Sequence, residues 1–176
     1  MTRPLVTAIM PVHNSETFLA EALDSLLAQD YEPIEIVVCD DGSTDGTAAI
    51  LARHGSIRVL HQGNQGPAAA RNAAAAVAKG ELLAFFDADD TWPTDRLSVQ
   101  AKYLREHPTA GCVVGRQRWV DPPSWLTRDA VYGELGGIPL LSAMIRREVF
   151  ERLGGFDETF RTAEDTDLLL RMREDS

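Results

Sequence analysis

Apolar residues along this chain follow two alternating patterns. Short, mostly apolar runs at Leu5–Met10, Ile34–Cys39, Ile57–Leu60 and Glu81–Phe86 read as strands, and the five consecutive apolar residues Leu82–Phe86 mark the last as buried on both faces. Between them the apolar positions recur at helical spacing. Phe18, Leu19, Ala22, Leu23, Leu26 and Leu27 mark one amphipathic face, in a helix opened by Ser15, Glu16 and Thr17. A second helix is predicted from Thr47 to His54, capped by Thr44 or Asp45, and a third over the alanine-rich run from Ala68 to Ala78. A fourth runs from Pro93 to about Glu106 and is ended by His107-Pro108. Strand followed by helix, repeated in this way, predicts a mostly parallel sheet with right-handed crossovers. Beyond the fourth helix the pattern loosens. Cys112–Gly115 and Ile138–Ile145 read as strands, and Arg116–Gly137 as an irregular or antiparallel excursion. Arg146–Leu153 reads as a short helix, and a last helix from about Ala163 carries Leu168, Leu169, Leu170 and Met172.

The chemistry collects where the apolar runs stop. The fourth strand ends on Asp87-Ala88-Asp89-Asp90, and the second on Asp40-Asp41 followed by Gly42-Ser43-Thr44-Asp45-Gly46. In open α/β sheets ligands bind outside the carboxyl ends of the strands, where these acids lie. Crowded carboxylates need a balancing cation, and hard carboxylate oxygens suit Mg²⁺ or Mn²⁺. The same acids are also readable as a solvated turn, with Thr91 capping the next helix and Pro93 at its first position. Arg71 interrupts the alanine run and calls for a partner.

Composition narrows the class. A chain of 176 residues with 44% hydrophobic and 25% charged residues is long enough for one domain with a real core. A formal net charge of −10 argues against a broad nucleic-acid footprint, which needs clustered Lys and Arg. Two cysteines, Cys39 and Cys112, make no disulfide framework and point to a reducing, cytoplasmic setting. No apolar run approaches membrane length, so no transmembrane segment is expected, while peripheral membrane contact stays open.

Six segments in order resemble the family 2 glycosyltransferases of GT-A fold. They are Pro11-Val12-His13-Asn14, Asp40 to Thr47, Gly66 to Ala73 with Arg71-Asn72, Asp87-Ala88-Asp89-Asp90, Gly154-Gly155-Phe156-Asp157-Glu158, and Glu164-Asp165. The resemblance implies a Rossmann-like α/β sheet flanked by helices, with a smaller mixed acceptor-side region. It implies one domain over residues 1–176, a nucleotide-sugar-binding half at 1–106 and an acceptor and catalytic-base half at 107–176. It further implies that Pro11, Val12 and His13 line the nucleoside pocket, that Asp41 accepts from the base, and that Glu16 approaches the ribose or base. Arg71 would reach the nucleotide, and Asp87, Ala88 and Asp89 would form the Asp-x-Asp element holding the diphosphate through Mg²⁺ or Mn²⁺. Asp165 would be the catalytic base with Glu164 beside it. The implied reaction is an inverting transfer from a nucleoside-diphosphate sugar, most often a uridine form, to a saccharide or other hydroxyl. The family pattern usually continues past the point where this chain stops, at Ser176.

Each role has a plainer counterpart. Arg71 could pair with a surface acid, His13 could be an ordinary loop histidine, and the glycine pair could simply stop a helix. Acids in the first turn of the last helix suit its dipole, and Phe156 reads as core. Trp119 and Trp125 could stack on a sugar acceptor or lie buried against the sheet. A catalytically incomplete nucleotide-sugar-binding module is the rival reading. A nucleotidyltransferase would carry a basic glycine-rich loop after the first strand, and a Rossmann dehydrogenase a G-x-G-x-x-G there; Pro11-Val12-His13-Asn14 is neither.

Overall fold

The computed structural model describes residues 2–115, 142–160 and 162–175. The predicted excursion, Trp119, Trp125 and the first part of the Ile138–Ile145 strand lie outside them. Among the described residues, six strands form one sheet in the order β3-β2-β1-β4-β6-β5. They are β1 Val6–Val12, β2 Ile34–Asp40, β3 Arg58–His61, β4 Leu82–Phe85, β5 Cys112–Val114 and β6 Ala143–Arg146. The first four are mutually parallel, whereas β6 lies antiparallel between β4 and β5. The helices are α1 Leu19–Leu27, α2 Thr47–Leu51, α3 Pro67–Val77, α4 Arg96–Glu106, α5 Arg147–Arg152 and α6 Glu164–Glu174.

Alternation along β1 divides the core. Val6, Ala8, Met10 and Val12 face α1 and α4, in a cluster with Leu23, Leu26, Leu97 and Leu104. Ile9 faces the other way, with Val37, Cys39 and Phe85, toward Ala70 and Ala74 of α3, Phe150 of α5 and Leu168 of α6. Small side chains bring α3 close to the sheet, and aromatic rings fill the space beside it. Phe85 sits 5.2 Å from Phe156, edge to face. Both cysteines are free, and no helix among the described residues is long and apolar enough to cross a membrane.

Two predicted boundaries move for identifiable reasons. β1 runs through Pro11 instead of ending before it. Its partner β4 pairs only as far as Ile9, so the missing N–H of Pro11 falls on the side where the ladder has already stopped. α1 starts at Leu19, later than its sequence signal, because the Ser15 N–H donates to Thr47 Oγ1 and the Glu16 N–H to Asp45 Oδ2. Those amides are held by the neighbouring loop. Phe18 is therefore not part of the helix's buried face, as its spacing predicts, but sits in the preceding turn, 55% exposed.

Candidate active site

β1, β2 and β4 end side by side, and their following loops enclose a cavity of about 400 Å³. Pro11 and Val12 at the end of β1 and His13 just after it line the cavity; Asp41 reaches it from the end of β2 and Asp87, Ala88 and Asp89 from that of β4. Gly66, Pro67, Ala70 and Arg71 close it from the start of α3.

The end near Asp41 is fully organised by hydrogen bonds. Asp41 is 4% exposed, and its Oδ1 accepts from Gln62 Nε2 at 2.8 Å and the Gln65 N–H at 2.9 Å. Its Oδ2 accepts from the Gly66 N–H at 2.8 Å. One carboxylate thus fixes the whole β3–α3 loop, at a glycine whose φ of +97° suits no β-carbon. His13 Nδ1 lies 2.8 Å from the Asp41 carbonyl, which can only accept, so Nδ1 carries the proton. Nε2 is then the acceptor for the side-chain amides of Asn14 and Asn64, each at 3.2 Å. Asn14, at φ +49°, also accepts from the Thr44 N–H through Oδ1. The imidazole is held by three loops at once.

The other end is electrostatic. Arg71, 4% exposed, donates from Nη2 to Asp87 Oδ1 at 2.7 Å and from Nη1 to Glu164 Oε1 at 2.5 Å. Its guanidinium also lies 5.5 Å from the Phe156 ring centre. Burial works against the charge of Arg71, and Asp87 and Glu164 more than offset it, so its pKa is raised. Burial also raises the Asp87 carboxyl, with Arg71 pulling the other way. Asp90 is pushed up to about 6, by burial first and then by the charges of Asp87 and Asp89. The cluster is a region of surplus negative charge. The second oxygen of Asp87 and both oxygens of Asp89 accept no hydrogen bond from the described residues, and both side chains line the cavity. No three His, Cys, Asp or Glu among the described residues converge to cage an ion on their own. That donor set fits Mg²⁺ or Mn²⁺, which are held by one or two carboxylates together with substrate phosphates.

The glycine pair and Asn72 explain one another. Asn72 Oδ1 accepts from the Phe156 N–H at 2.9 Å, and its Nδ2 donates to the Phe156 carbonyl and to Glu158. Gly155 has φ +74°, and a β-carbon there would stand 2.8 Å from Asn72 Oδ1. Arg71 and Asn72, consecutive on α3, thereby tie the C-terminal segment to the cavity edge of the sheet.

Three sequence expectations land elsewhere. The Glu16 carboxylate accepts from the Gly46 N–H at 2.7 Å, at the start of α2, and Glu16 is absent from the cavity wall. Asp165 also lies off that wall, at the start of α6, where its Oδ1 accepts from the N–H and hydroxyl of Thr166. Glu164 turns inward to Arg71. Conversely, Phe18, Asn64 and Ala70 line the cavity although the sequence reading gave them no role there, because their placement depends on loop closure and not on local pattern.

Over residues 7–155 the sequence matches the family described as Glycosyl transferase family 2. The chain belongs to that family. This family 2 glycosyltransferase is 30% identical over 183 residues to the chondroitin synthase of Pasteurella multocida, an alignment covering 97% of this chain and 19% of the relative. It superposes on Staphylococcus aureus TarS, residues 1–349, with a TM-score of 0.82 and 26% identity, covering 95% of this chain and 54% of TarS. The mannosyltransferase PcManGT of Pyrobaculum calidifontis, solved with GDP-Man and Mn²⁺, gives 0.80 and 31%, covering 98% of this chain and 52% of that one. The chain thus spans about half the length of these solved neighbours, and the GT-A type fold predicted from the sequence is the one observed.

Proposed function

We propose that this glycosyltransferase domain catalyses a metal-dependent, inverting transfer of a sugar from a nucleoside diphosphate, the uridine form first, to a hydroxyl of a saccharide acceptor. The observation that carries the reading is one cavity with a hydrogen-bonded end organised around Asp41 and a carboxylate-plus-arginine end at Asp87, Asp89 and Arg71. The first suits a nucleoside: Asp41 retains an acceptor lone pair toward the base, with His13, Pro11 and Val12 around it. The second suits a diphosphate: Asp87 and Asp89 would hold a Mg²⁺ or Mn²⁺ ion there, with Arg71 as a further cation. A bound metal supplies charge neutralisation for the departing diphosphate. TarS has been solved with UDP, and PcManGT with GDP-Man and Mn²⁺, which supports a nucleotide-sugar donor and a divalent ion.

The chain's own task is to place the donor and take up a proton. The acceptor hydroxyl attacks the anomeric carbon opposite the diphosphate, the new C–O bond forms as the bond to the diphosphate oxygen breaks, and a carboxylate receives the hydroxyl proton. Asp165 fills that role: it is half-buried at the N-terminus of α6, and its Oδ2 has no partner among the described residues. Its position off the cavity wall favours one second reading, a nucleotide-sugar-binding module that works only within a larger protein.

A thermal-shift panel of UDP, GDP and TDP and their sugars, with and without Mn²⁺, tests the donor site. The expected result is stabilisation by one nucleotide that chelator abolishes. Product formation with a saccharide acceptor, lost in Asp165→Asn while donor binding persists, separates the enzyme from the binding module. A folded sample that responds to no nucleotide overturns both.

A further inference from the structure

We propose that Glu164 is a positioning residue and not a proton acceptor: through Arg71 it holds the helix bearing Asp165 in register with the donor-phosphate end of the cavity. The inference rests on the transferase reading above and assigns separate work to two neighbouring acids.

Glu164 is 7% exposed and its Oε1 is bonded to a buried guanidinium. The oxygen that accepts from Arg71 is not free to take the proton of an acceptor hydroxyl. The next residue along a helix is turned by roughly 100°, so the inward direction of Glu164 forces Asp165 away from Arg71, and Asp165 is indeed the more exposed of the two.

Among the described residues, no other side-chain hydrogen bond joins the first turn of α6 to another element; the bonds of Asp165 to Thr166 and of Asp167 to Arg171 stay within the helix. No side chain caps it; the residue ahead is Ala163, left-handed at φ +66° and ψ +20°. The rest of the helix is fixed further along. Arg171 grips the Leu153 and Gly155 carbonyls at 2.7 and 2.9 Å, and Leu168 is fully buried. At the first turn, Glu164 supplies the side-chain hydrogen bond that leaves the helix, and it goes to Arg71 on α3.

The two nitrogens of Arg71 face different elements. Nη2 bonds Asp87 at the end of β4, and Nη1 bonds Glu164 at the start of α6. A rigid planar fork fixes the distance between those partners, which a single ammonium on a flexible stem does not. The Arg71 side chain is 5% exposed, and its Nε has no hydrogen-bond partner among the described residues, so packing contributes to setting its plane.

The test compares Glu164→Gln, Glu164→Asp and Asp165→Asn in the complete protein, reading kcat, donor KM and the pH dependence of kcat. A misplacement of about 1 Å costs on the order of 100-fold in rate. Glu164→Gln, which keeps the shape and loses the charge, is expected to lower kcat about 10- to 100-fold, to leave donor KM little changed, and to retain the acidic limb of the pH profile. Asp165→Asn is expected to abolish turnover. Glu164→Gln at wild-type kcat, or with the acidic limb removed, overturns the assignment. Hydrogen exchange at the Thr166–Leu168 amides gives a readout independent of turnover: faster exchange in Glu164→Gln supports the tie, and unchanged exchange overturns it. If the wild-type protein turns over no nucleotide sugar, the proposed function fails while the exchange experiment still decides whether Glu164 anchors the helix.

Discussion

Replacing Arg71 by methionine isolates the contact on which the site depends. Methionine keeps much of the apolar stem volume and removes the fork, leaving the Glu164 and Asp87 carboxylates without their shared cation. The two acids do not suffer equally. The Asp87 side chain is 27% exposed and keeps water on one side, whereas that of Glu164 is 10% exposed. The penalty therefore falls mainly on Glu164. Removing one partner of a buried pair costs about 3 to 5 kcal/mol, and the wetter Asp87 places Arg71→Met near the lower end, about 3 kcal/mol. For a domain of this size that is a drop in Tm of roughly 6 to 12 °C. Adding Glu164→Gln removes the stranded charge, so the double variant should recover about 1 to 2 kcal/mol, a coupling typical of residues in direct contact. Urea denaturation of the wild type, both single variants and the double variant measures it. An Arg71→Met cost under about 1 kcal/mol, or strictly additive single effects, would refute the view that Arg71 joins the two halves.

Three further outcomes follow from other contacts. Asp90→Asn should stabilise the protein by about 1 to 2 kcal/mol at pH 7.5, after discounting for partial exposure. Since the folded-state pKa of Asp90, about 6, lies above its ordinary value of 3.8, the wild type loses stability as pH rises through this window. The gain should vanish by pH 4, and thermal melts showing a pH-independent difference would contradict it. Asp41→Asn puts an amide where three donors converge, and should cost about 1 to 3 kcal/mol in denaturant titrations and weaken nucleotide binding. Gly155→Ala combines a left-handed backbone with a 2.8 Å approach to Asn72 Oδ1, and should cost about 1 to 3 kcal/mol by the same assay, while Gly63→Ala, with open space around it, should be nearly silent.

The strand and helix order was legible because a parallel strand buried on both faces must be an unbroken apolar run, as at Leu82–Phe85, and a helix on one face must repeat near 3.6. The acids that line the cavity were legible for a related reason. Asp41, Asp87 and Asp89 directly follow apolar runs, and the carboxyl ends of parallel strands all open on one edge of the sheet. Chain order therefore fixed both the fold class and the edge where the chemistry lies. Tertiary structure decided which oxygen faces what. Glu16 is drawn to Gly46 by a loop thirty residues away, Phe18 is left in the open by the delayed start of α1, and β6 inserts antiparallel beside β4. Above all, Glu164 and Asp165, adjacent and alike in sequence, part company on α6, one inward onto Arg71 and the other away from it. Local pattern specifies which face an element buries; the partner of a charge is chosen by segments that meet only when the chain closes, as Arg71 and Glu164 do across 93 positions.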